Sequence, residues 1–315
     1  MPAALTRNST NVRNAIDFAW HRVSMAVTAT LAPDKAVDMA ARLFSTPPRF
    51  PHTAREQELL ATGTGFVVRS KHGDIAAWRF GNPRRPAVVL VHGWGGRGAQ
   101  LRAFVPALLD AGYQVVLFDH VGHGFSASSE ATLIHFWNGL DAVLNDVESS
   151  GVPIAALVGH SLGAAAVGAW LNATRRNIRA VLIAPPTSVE RYSGYFARRM
   201  GIPETVRRAM QERFEQRLGR RWSEFELPQA VEKVTAPALV IHDAGDTSVP
   251  QTSGIALARA WREARFLGTQ GLGHRQVLRD PDVVRDAVDF IAGRVEFAPP
   301  PASGAAVFGA PAPIL

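Results

Sequence analysis

The chain is predicted to fold as an α/β protein: a mostly parallel, eight-stranded sheet with helices on both faces. Three observations predict it. Short apolar runs rich in Val, Ile and Leu alternate with longer stretches of helical periodicity, which is the pattern of repeated strand-helix-strand units. Those runs lack the polar alternation of a half-exposed strand, as expected where a sheet is covered on both faces. One of them, Ile154 to Val158, leads through Gly159-His160-Ser161-Leu162-Gly163 into a helical stretch, a strand-turn-helix unit that places a serine at the tip of a sharp turn.

In chain order, residues 1 to about 60 precede the first strand. Ala15 to Leu31 sets Ile16, Ala19, Trp20, Val23 and Val27 at helical spacing, and Pro33-Asp34 opens a second helix, Lys35 to Phe44, which Pro47-Pro48 and Pro51 end. A secretory signal with Val23 to Ala32 as its apolar region competes for this stretch. Asp17, His21 and Arg22 give it an unusually long polar lead-in, so the reading is an amphipathic arm on a cytoplasmic protein. From Gly65 the texture changes. Phe66 to Arg69 and Ile75 to Phe80 read as a strand meander around Lys71-His72-Gly73-Asp74. Ala87 to Val91, Val115 to Phe118, Ile154 to Val158, Ala180 to Ile183, Ala238 to Ile241 and Arg265 to Leu267 supply the other six strands. Gln100 to Leu109, Ala131 to Glu148, Leu162 to Asn172, Val249 to Trp261 and Pro281 to Ala292 read as helices, which right-handed crossovers distribute over both faces.

Pro186 to Leu227 is too long for a simple crossover. Within it Tyr192, Tyr195, Phe196 and Met200 fall on one helical stripe, and Val206, Met210, Phe214 and Leu218 on another. Two amphipathic helices are expected, either as a cap over about residues 186–228 whose apolar face, Tyr195 and Phe196 included, receives substrate, or as helices that only pack on the core. After Val295 the chain is rich in Pro, Ala and Gly and too poor in packing residues for a core, so residues 297–315 read as a disordered tail. The domain plan is therefore a helical extension over 1–62, the main domain over 63–296 with its cap, and the tail.

With 315 residues, 47% hydrophobic and 19% charged, the chain can bury one large core plus appendages. No run approaches 18 uninterrupted apolar residues, which argues against a membrane-spanning helix. The absence of Cys removes disulfides and thiolate catalysis from consideration. The net charge of +7 is carried almost wholly by Arg, with Lys only at 35, 71 and 233. Acidic residues interleave with several of the basic pairs and no nucleic-acid module accompanies them, so nucleic-acid binding is not expected, while mild attraction to anionic substrates or to a membrane surface is compatible with the charge.

A serine hydroxyl is a weak nucleophile and needs a base to take its proton and an acid to orient that base. His274 in Gly271-Leu272-Gly273-His274 follows the last strand; Asp246 in His242-Asp243-Ala244-Gly245-Asp246 follows the strand before it. Both stand at the C-terminal rim, where ligands of open parallel sheets gather. Asp243 competes for the acid role, but it directly follows its strand, where a carboxylate caps a turn, so Asp246 is preferred. The Leu162 N–H opens the helix after Ser161, where an unpaired donor and the helix dipole both favour an oxyanion. The loop His92-Gly93-Trp94-Gly95-Gly96 offers the Trp94 N–H as a second donor, or its ring as a pocket wall. His92, His123 and His160 are flanked by glycine and read as shaping turns. His120 and His123 lack third and fourth partners at metal-ligand spacing, so no metal is expected.

The same loop carries a rival reading. Gly93-Trp94-Gly95-Gly96-Arg97-Gly98 matches Gly-x-Gly-x-x-Gly after a strand, and Asp119 stands about where a ribose-binding acid would. A dinucleotide-dependent oxidoreductase would follow. A meander precedes this strand, however, and the reading leaves Ser161, Asp246 and His274 without a role.

His92-Gly93-Trp94-Gly95, Asp119-His120-Val121-Gly122-His123-Gly124-Phe125-Ser126, Gly159 to Gly163, Asp243 to Pro250 and Gly271 to His274 occur in family order, and on them the chain resembles the α/β-hydrolase superfamily, near its esterase and monoacylglycerol-lipase-like branches, over about Gly65 to Arg294. The resemblance implies Ser161 as nucleophile, His274 as base, Asp246 as acid and Trp94 with Leu162 as oxyanion donors. It further implies a serine hydrolase of small-molecule carboxylic esters that works through an acyl-enzyme without cofactor. His120 stands where many relatives carry another residue. Ser161 excludes branches with an aspartate nucleophile, haloalkane dehalogenases and epoxide hydrolases among them. Thioesterases, peptidases, C–C hydrolases, cofactor-free haloperoxidase-like members and non-catalytic ligand receptors of the fold remain open.

Overall fold

Eight strands join in one sheet, in the order β1-β2-β4-β3-β5-β6-β7-β8. The structure, a computed structural model, describes residues 22–295, 297 and 299–300. β1 (Thr64–Ser70) and β2 (Gly73–Phe80) form a hairpin, and β2 pairs antiparallel with β4 (Gln114–Phe118). β3 (Ala87–Val91), β4, β5 (Ile154–His160), β6 (Arg179–Ile183), β7 (Ala238–Asp243) and β8 (Ala264–Thr269) run parallel. Every residue of β3, β4 and β7 is buried, which is why Ala87–Val91, Val115–Phe118 and Ala238–Ile241 read as unbroken apolar runs. The expected strands all lie within the observed ones. All but β3 run further than expected, and toward the rim ladder pairing continues β5 through His160, β7 through Asp243 and β8 through Thr269. Chain order reverses at β3, with β4 on one side and β5 on the other, and a crevice opens where the carboxyl ends of strands part at such a switch.

Local chemistry explains where the helices start. α3 (Ala54–Thr62) was not anticipated, yet its signal is in the sequence: Thr53 and Glu56 form a capping box, the Glu56 carboxylate accepting the Thr53 N–H at 2.8 Å. The expected helix from Gln100 is instead a 3-10 turn, Gly98–Leu101, followed by α4 (Phe104–Asp110). Pro106 decides this, because a proline inside a longer helix would lack its backbone donor, whereas in the first turn none is needed. α5 (Leu133–Ser149) begins on Thr132, whose hydroxyl accepts the His135 N–H. α6 (Leu162–Thr174) is buried from Gly163 to Leu171, as befits a helix that is apolar all round. α9 (Leu227–Ala230), α10 (Gln251–Ala260), the single turn α11 (Gly273–Gln276) and α12 (Pro281–Ile291) complete the set that accompanies the sheet. At the last of these, Asp280 caps the Asp282 and Val283 amides ahead of a proline-led first turn.

The described residues divide into two compact units, one of the chain up to Ser45 with Glu190–Trp222, the other of Thr46–Val189 with the chain from Ser223. The first holds helical residues 22–31 (α1), α2 (Pro33–Ser45), α7 (Val189–Met200) from its second residue, and α8 (Glu204–Leu218). The two amphipathic helices of the insertion are thus present. Phe44 is the centre of this unit, with the rings of Phe196 at 5.4 Å, Trp222 at 5.5 Å, and Tyr192 and Phe214 each at 6.1 Å between centroids. Arg213 pairs with Asp38, and the Arg22 guanidinium donates to the Arg198 carbonyl at 3.0 Å and that of Arg199 at 2.6 Å. The expected extension 1–62 therefore divides after Ser45, its second part, with α3, belonging to the sheet unit. Residues 1–21 of that extension, which include the first seven of the expected first helix, and nearly all of the expected tail lie outside the described residues.

Candidate active site

β5 ends at His160, and the chain turns so sharply that Ser161 takes φ 50° and ψ −123°, a conformation that costs a side-chain-bearing residue of order 1–3 kcal/mol. Two backbone bonds hold it there. The Ser161 N–H donates to the Ile183 carbonyl at 2.8 Å, and the Ala165 N–H to the Ser161 carbonyl at 3.1 Å. Glycine is required on both sides. A Cβ at Gly163 would lie 2.4 Å from the His92 oxygen and 2.5 Å from that of Val91, and one at Gly159 would lie 2.6 Å from the Ala164 Cα. Since these are backbone atoms, Gly163→Ala is expected to destabilise by on the order of 3 kcal/mol and to lower Tm by roughly 6 °C or more. A variant that melts with the wild type would show that the β3 end moves aside freely.

Asp246 follows β7. Its Oδ1 accepts the Ser248 and Val249 amides at 2.8 and 2.9 Å, and its Oδ2 lies 2.7 Å from His274 Nδ1 and 3.4 Å from His242 Nε2. Burial pushes this carboxyl up, but the bonds from His242, His274 and Val249 outweigh it and hold the group well below the usual carboxylate range. Asp243 does different work. Its Oδ2 accepts the Leu272 N–H at 3.0 Å and the Thr269 hydroxyl at 2.8 Å, while Oδ1 accepts the Gly245 N–H at 2.9 Å, so it fastens the segment that carries His274. His274 itself sits on α11 rather than in an open loop, reached through Gly271 at φ 83° and Gly273 at φ 61°. The His160 imidazole lies 2.9 Å through Nε2 from the His274 carbonyl.

Ser161, His274 and Trp94 line one small pocket, together with Gly93, Gly95, Gly96, Gln100, His160 and Arg275. All belong to the larger unit. Leu162, the other expected oxyanion donor, is the first residue of α6. The structure thus brings together Ser161, His274 and Trp94 around the pocket and Asp246 behind His274. Tyr195 and Phe196 lie in the smaller unit, the latter against Phe44 and the former half-buried on α7. Two participants went unmarked in the sequence reading: His242 beside Asp246, and Arg275 in the pocket wall. Only the four-residue step from His242 to Asp246 across the end of β7 hints at the first.

The dinucleotide reading loses its acid here. Asp119 is wholly buried, its Oδ1 accepting the Gly98 N–H at 2.7 Å and its Oδ2 the Phe125 N–H at 2.9 Å, so both oxygens tie loops together rather than face a ribose. The glycine loop is held further by Arg97, whose guanidinium donates to Glu56 at 2.6 and 2.9 Å.

Besides His242, four histidines around the site are buried. Burial pushes His92 and His120 well below the ordinary imidazole value of 6.5, His123 to about 4 and His160 to about 3. The unfolded chain therefore binds protons that the folded one refuses, so stability falls as pH drops from about 6.5 toward about 4. Asp119, raised by its burial, opposes this trend but is one group against several. At about 1.4 kcal/mol for each pKa unit, His123 alone contributes a loss on the order of 3 kcal/mol. Tm should fall steadily between pH 7 and 4, and a flat Tm there would contradict the buried, neutral histidines.

A family model described as serine aminopeptidase, S33, matches residues 82–227. Over 91 residues the chain is 38% identical to epoxide hydrolase A of Mycobacterium tuberculosis, a match that covers 28% of this chain and 27% of that protein. Over 100 residues it is 36% identical to the probable oxidoreductase EphD of the same organism, covering 30% of this chain and 16% of that protein. The chain matches only about a quarter or less of the length of these relatives. Among solved structures, the esterase Pf2001 of Pyrococcus furiosus superposes with a TM-score of 0.59 at 18% identity, over 79% of this chain and 98% of that one.

Proposed function

The chain has the α/β-hydrolase fold, and from that premise we propose that it is a serine hydrolase that cleaves carboxylic esters of small molecules through an acyl-enzyme. The observation that carries this reading is the joint placement of Ser161, on a strained turn, and His274, bonded through Nδ1 to Asp246 at 2.7 Å, around one pocket. A proton on Nδ1, donated to Asp246, leaves the lone pair on Nε2. Nε2 then takes the Ser161 proton as Oγ attacks the ester carbonyl, and the Leu162 and Trp94 amides receive the charge that develops on the carbonyl oxygen. Collapse expels the alcohol with that proton. Water, activated by the same nitrogen, releases the acid. Asp246 stabilises the imidazolium and stays ionised, in keeping with its depressed pKa.

Support for hydrolysis comes from this geometry and from the hydrolase names among the relatives; support for an ester comes from the esterase that shares the fold. The test is a panel of p-nitrophenyl esters, thioesters and peptides against wild type and Ser161→Ala, with a fluorophosphonate probe. Ester turnover with labelling at Ser161 is expected. Preferred turnover of peptides would move the substrate class to amides, and saturable NAD(P)H binding without labelling would end the hydrolase reading.

For Tyr195 and Phe196 the proposal is contact with the acyl or aromatic part of the substrate. Phe196 also touches Phe44, so Phe196→Ala is expected to lower Tm, whereas Tyr195→Ala separates the two roles. A lost apolar contact to substrate shifts the ratio of kcat/KM between short and medium-chain esters by roughly 10- to 200-fold. An unmoved ratio would take Tyr195 out of the site.

A further inference from the structure

The loop after β3 and the loop after β4 are fastened to each other by two buried histidines in reciprocal fashion. His92 Nδ1 lies 2.7 Å from the Gly93 carbonyl. A carbonyl only accepts, so Nδ1 carries the proton and Nε2 is left with its lone pair, which accepts the His120 N–H at 2.9 Å. His123 repeats the arrangement in the opposite direction: its Nδ1 faces the Val121 carbonyl at 3.0 Å, and its Nε2 accepts the Gly95 N–H at 3.0 Å. Each loop therefore supplies one imidazole that donates to a carbonyl of its own loop and accepts an amide of the other. The two rings are 5.1 Å apart, and both present to the face or edge of Phe136 on α5, at 5.7 and 5.3 Å with interplanar angles of 73° and 88°. Neither histidine lines the pocket. Burial keeps both neutral at neutral pH.

Gly95, at φ 64°, directly follows Trp94. The Trp94 N–H shares its peptide with the Gly93 carbonyl, which accepts from the Gly96 N–H at 3.0 Å and from His92 Nδ1 at 2.7 Å, and the next peptide is held through the Gly95 N–H by His123, so the peptides on either side of Trp94 are pinned. We propose that His123, with His92 as its reciprocal partner, is a positioning residue that aims the Trp94 amide into the pocket by accepting the Gly95 N–H. This rests on the serine-hydrolase reading, in which that amide is an oxyanion donor. Misdirecting one such donor lowers kcat by about 10²- to 10³-fold without weakening ground-state binding.

The test compares His123→Leu, which removes the acceptor, with His123→Gln, whose amide oxygen has similar reach. The readouts are kcat and KM on p-nitrophenyl acetate, Tm, and inhibition by phenylboronic acid, whose boron takes the Ser161 oxygen as the hydroxyl proton passes to His274, giving a tetrahedral anion. His123→Leu is expected to lose about 10²-fold in both kcat and boronate affinity while KM stays within about 3-fold. His123→Gln is expected to recover about 10-fold of both, even where its Tm is as low as that of the Leu variant. Leu and Gln variants with equal kcat, or a kcat that follows Tm alone, would overturn the proposal. Imidazole nitrogen shifts in the wild type provide a measurement that needs neither variant: His92 and His123 should both carry the proton on Nδ1, and an Nε2–H form at either would overturn it as well. Because tautomers are read without turnover, a wild type that hydrolyses no ester, thioester or peptide and takes no fluorophosphonate at Ser161 defeats the serine-hydrolase reading, and the positioning role with it, while the tautomer result still stands as a separate reading of the fastening.

Discussion

Ser161→Ala is expected to lower kcat on its best ester by about 10³-fold or more, and His274→Ala by a similar factor. The size follows from what remains once either is gone. Without Oγ no acyl-enzyme forms, and without the imidazole the hydroxyl keeps its proton, so only the oxyanion donors and substrate binding still act. Because the two groups act as one unit, the double variant should lose little beyond either single change. Ser161→Ala keeps the Cβ and the backbone bonds that hold the φ of 50°, so its Tm should stay near that of wild type. Retained ester turnover in Ser161→Ala would remove the nucleophile from the proposed mechanism. Losses that multiply in the double variant would show that Ser161 and His274 serve separate steps.

Asp246→Asn is expected to lower kcat by about 10²-fold or more, with Asp243→Asn costing stability instead. The argument lies in which donors surround each carboxylate. Asp246 Oδ1 accepts two backbone amides, those of Ser248 and Val249. In the Asn variant these claim the single oxygen and turn the NH2 toward His274 Nδ1. An NH2 group donates, so Nδ1 must give up its proton to accept, the proton moves to Nε2, and the nitrogen that faces the pocket is no longer a base. Asp243 meets Thr269, Leu272 and Gly245 instead, none of them a titrating group, so Asn there weakens the fastening of the His274 segment and lowers Tm. Measuring kcat and Tm for both variants decides the matter. Should Asp243→Asn be the more damaging to kcat, the acid role passes to Asp243.

Much of the fold was legible because its causes are local. A strand covered on both faces is apolar along its length, as β3 is throughout, β4 after Gln114 and β7 up to Ile241. A turn in which a Cβ at residue 163 would meet two carbonyl oxygens within 2.5 Å admits only glycine, so Gly159 and Gly163 marked Ser161. Where the reading fell short, the missing information was still local but weaker. The Thr53–Glu56 capping box announced α3, and Pro106 set the start of α4. The placement of His274 on a helical turn has no such marker, since its neighbours Gly271 and Gly273 suit a loop equally well.

By itself, then, the sequence determined the sheet, the serine at its tight turn and the rim loops that carry Asp246 and His274, all of which follow from side-chain periodicity and backbone sterics within a few neighbouring residues. Tertiary structure alone decided which carboxylate faces His274, what Asp119 holds, where Phe196 packs, and which nitrogen of His92 and of His123 carries the proton. The first three depend on distances of about 3 to 6 Å to residues mostly far apart in the chain, and the tautomers on a neighbouring carbonyl together with an amide 28 positions away; a hydrogen bond or ring contact is lost within an ångström or so of its best geometry. Periodicity fixes which face a side chain takes; it does not fix which distant partner meets it there.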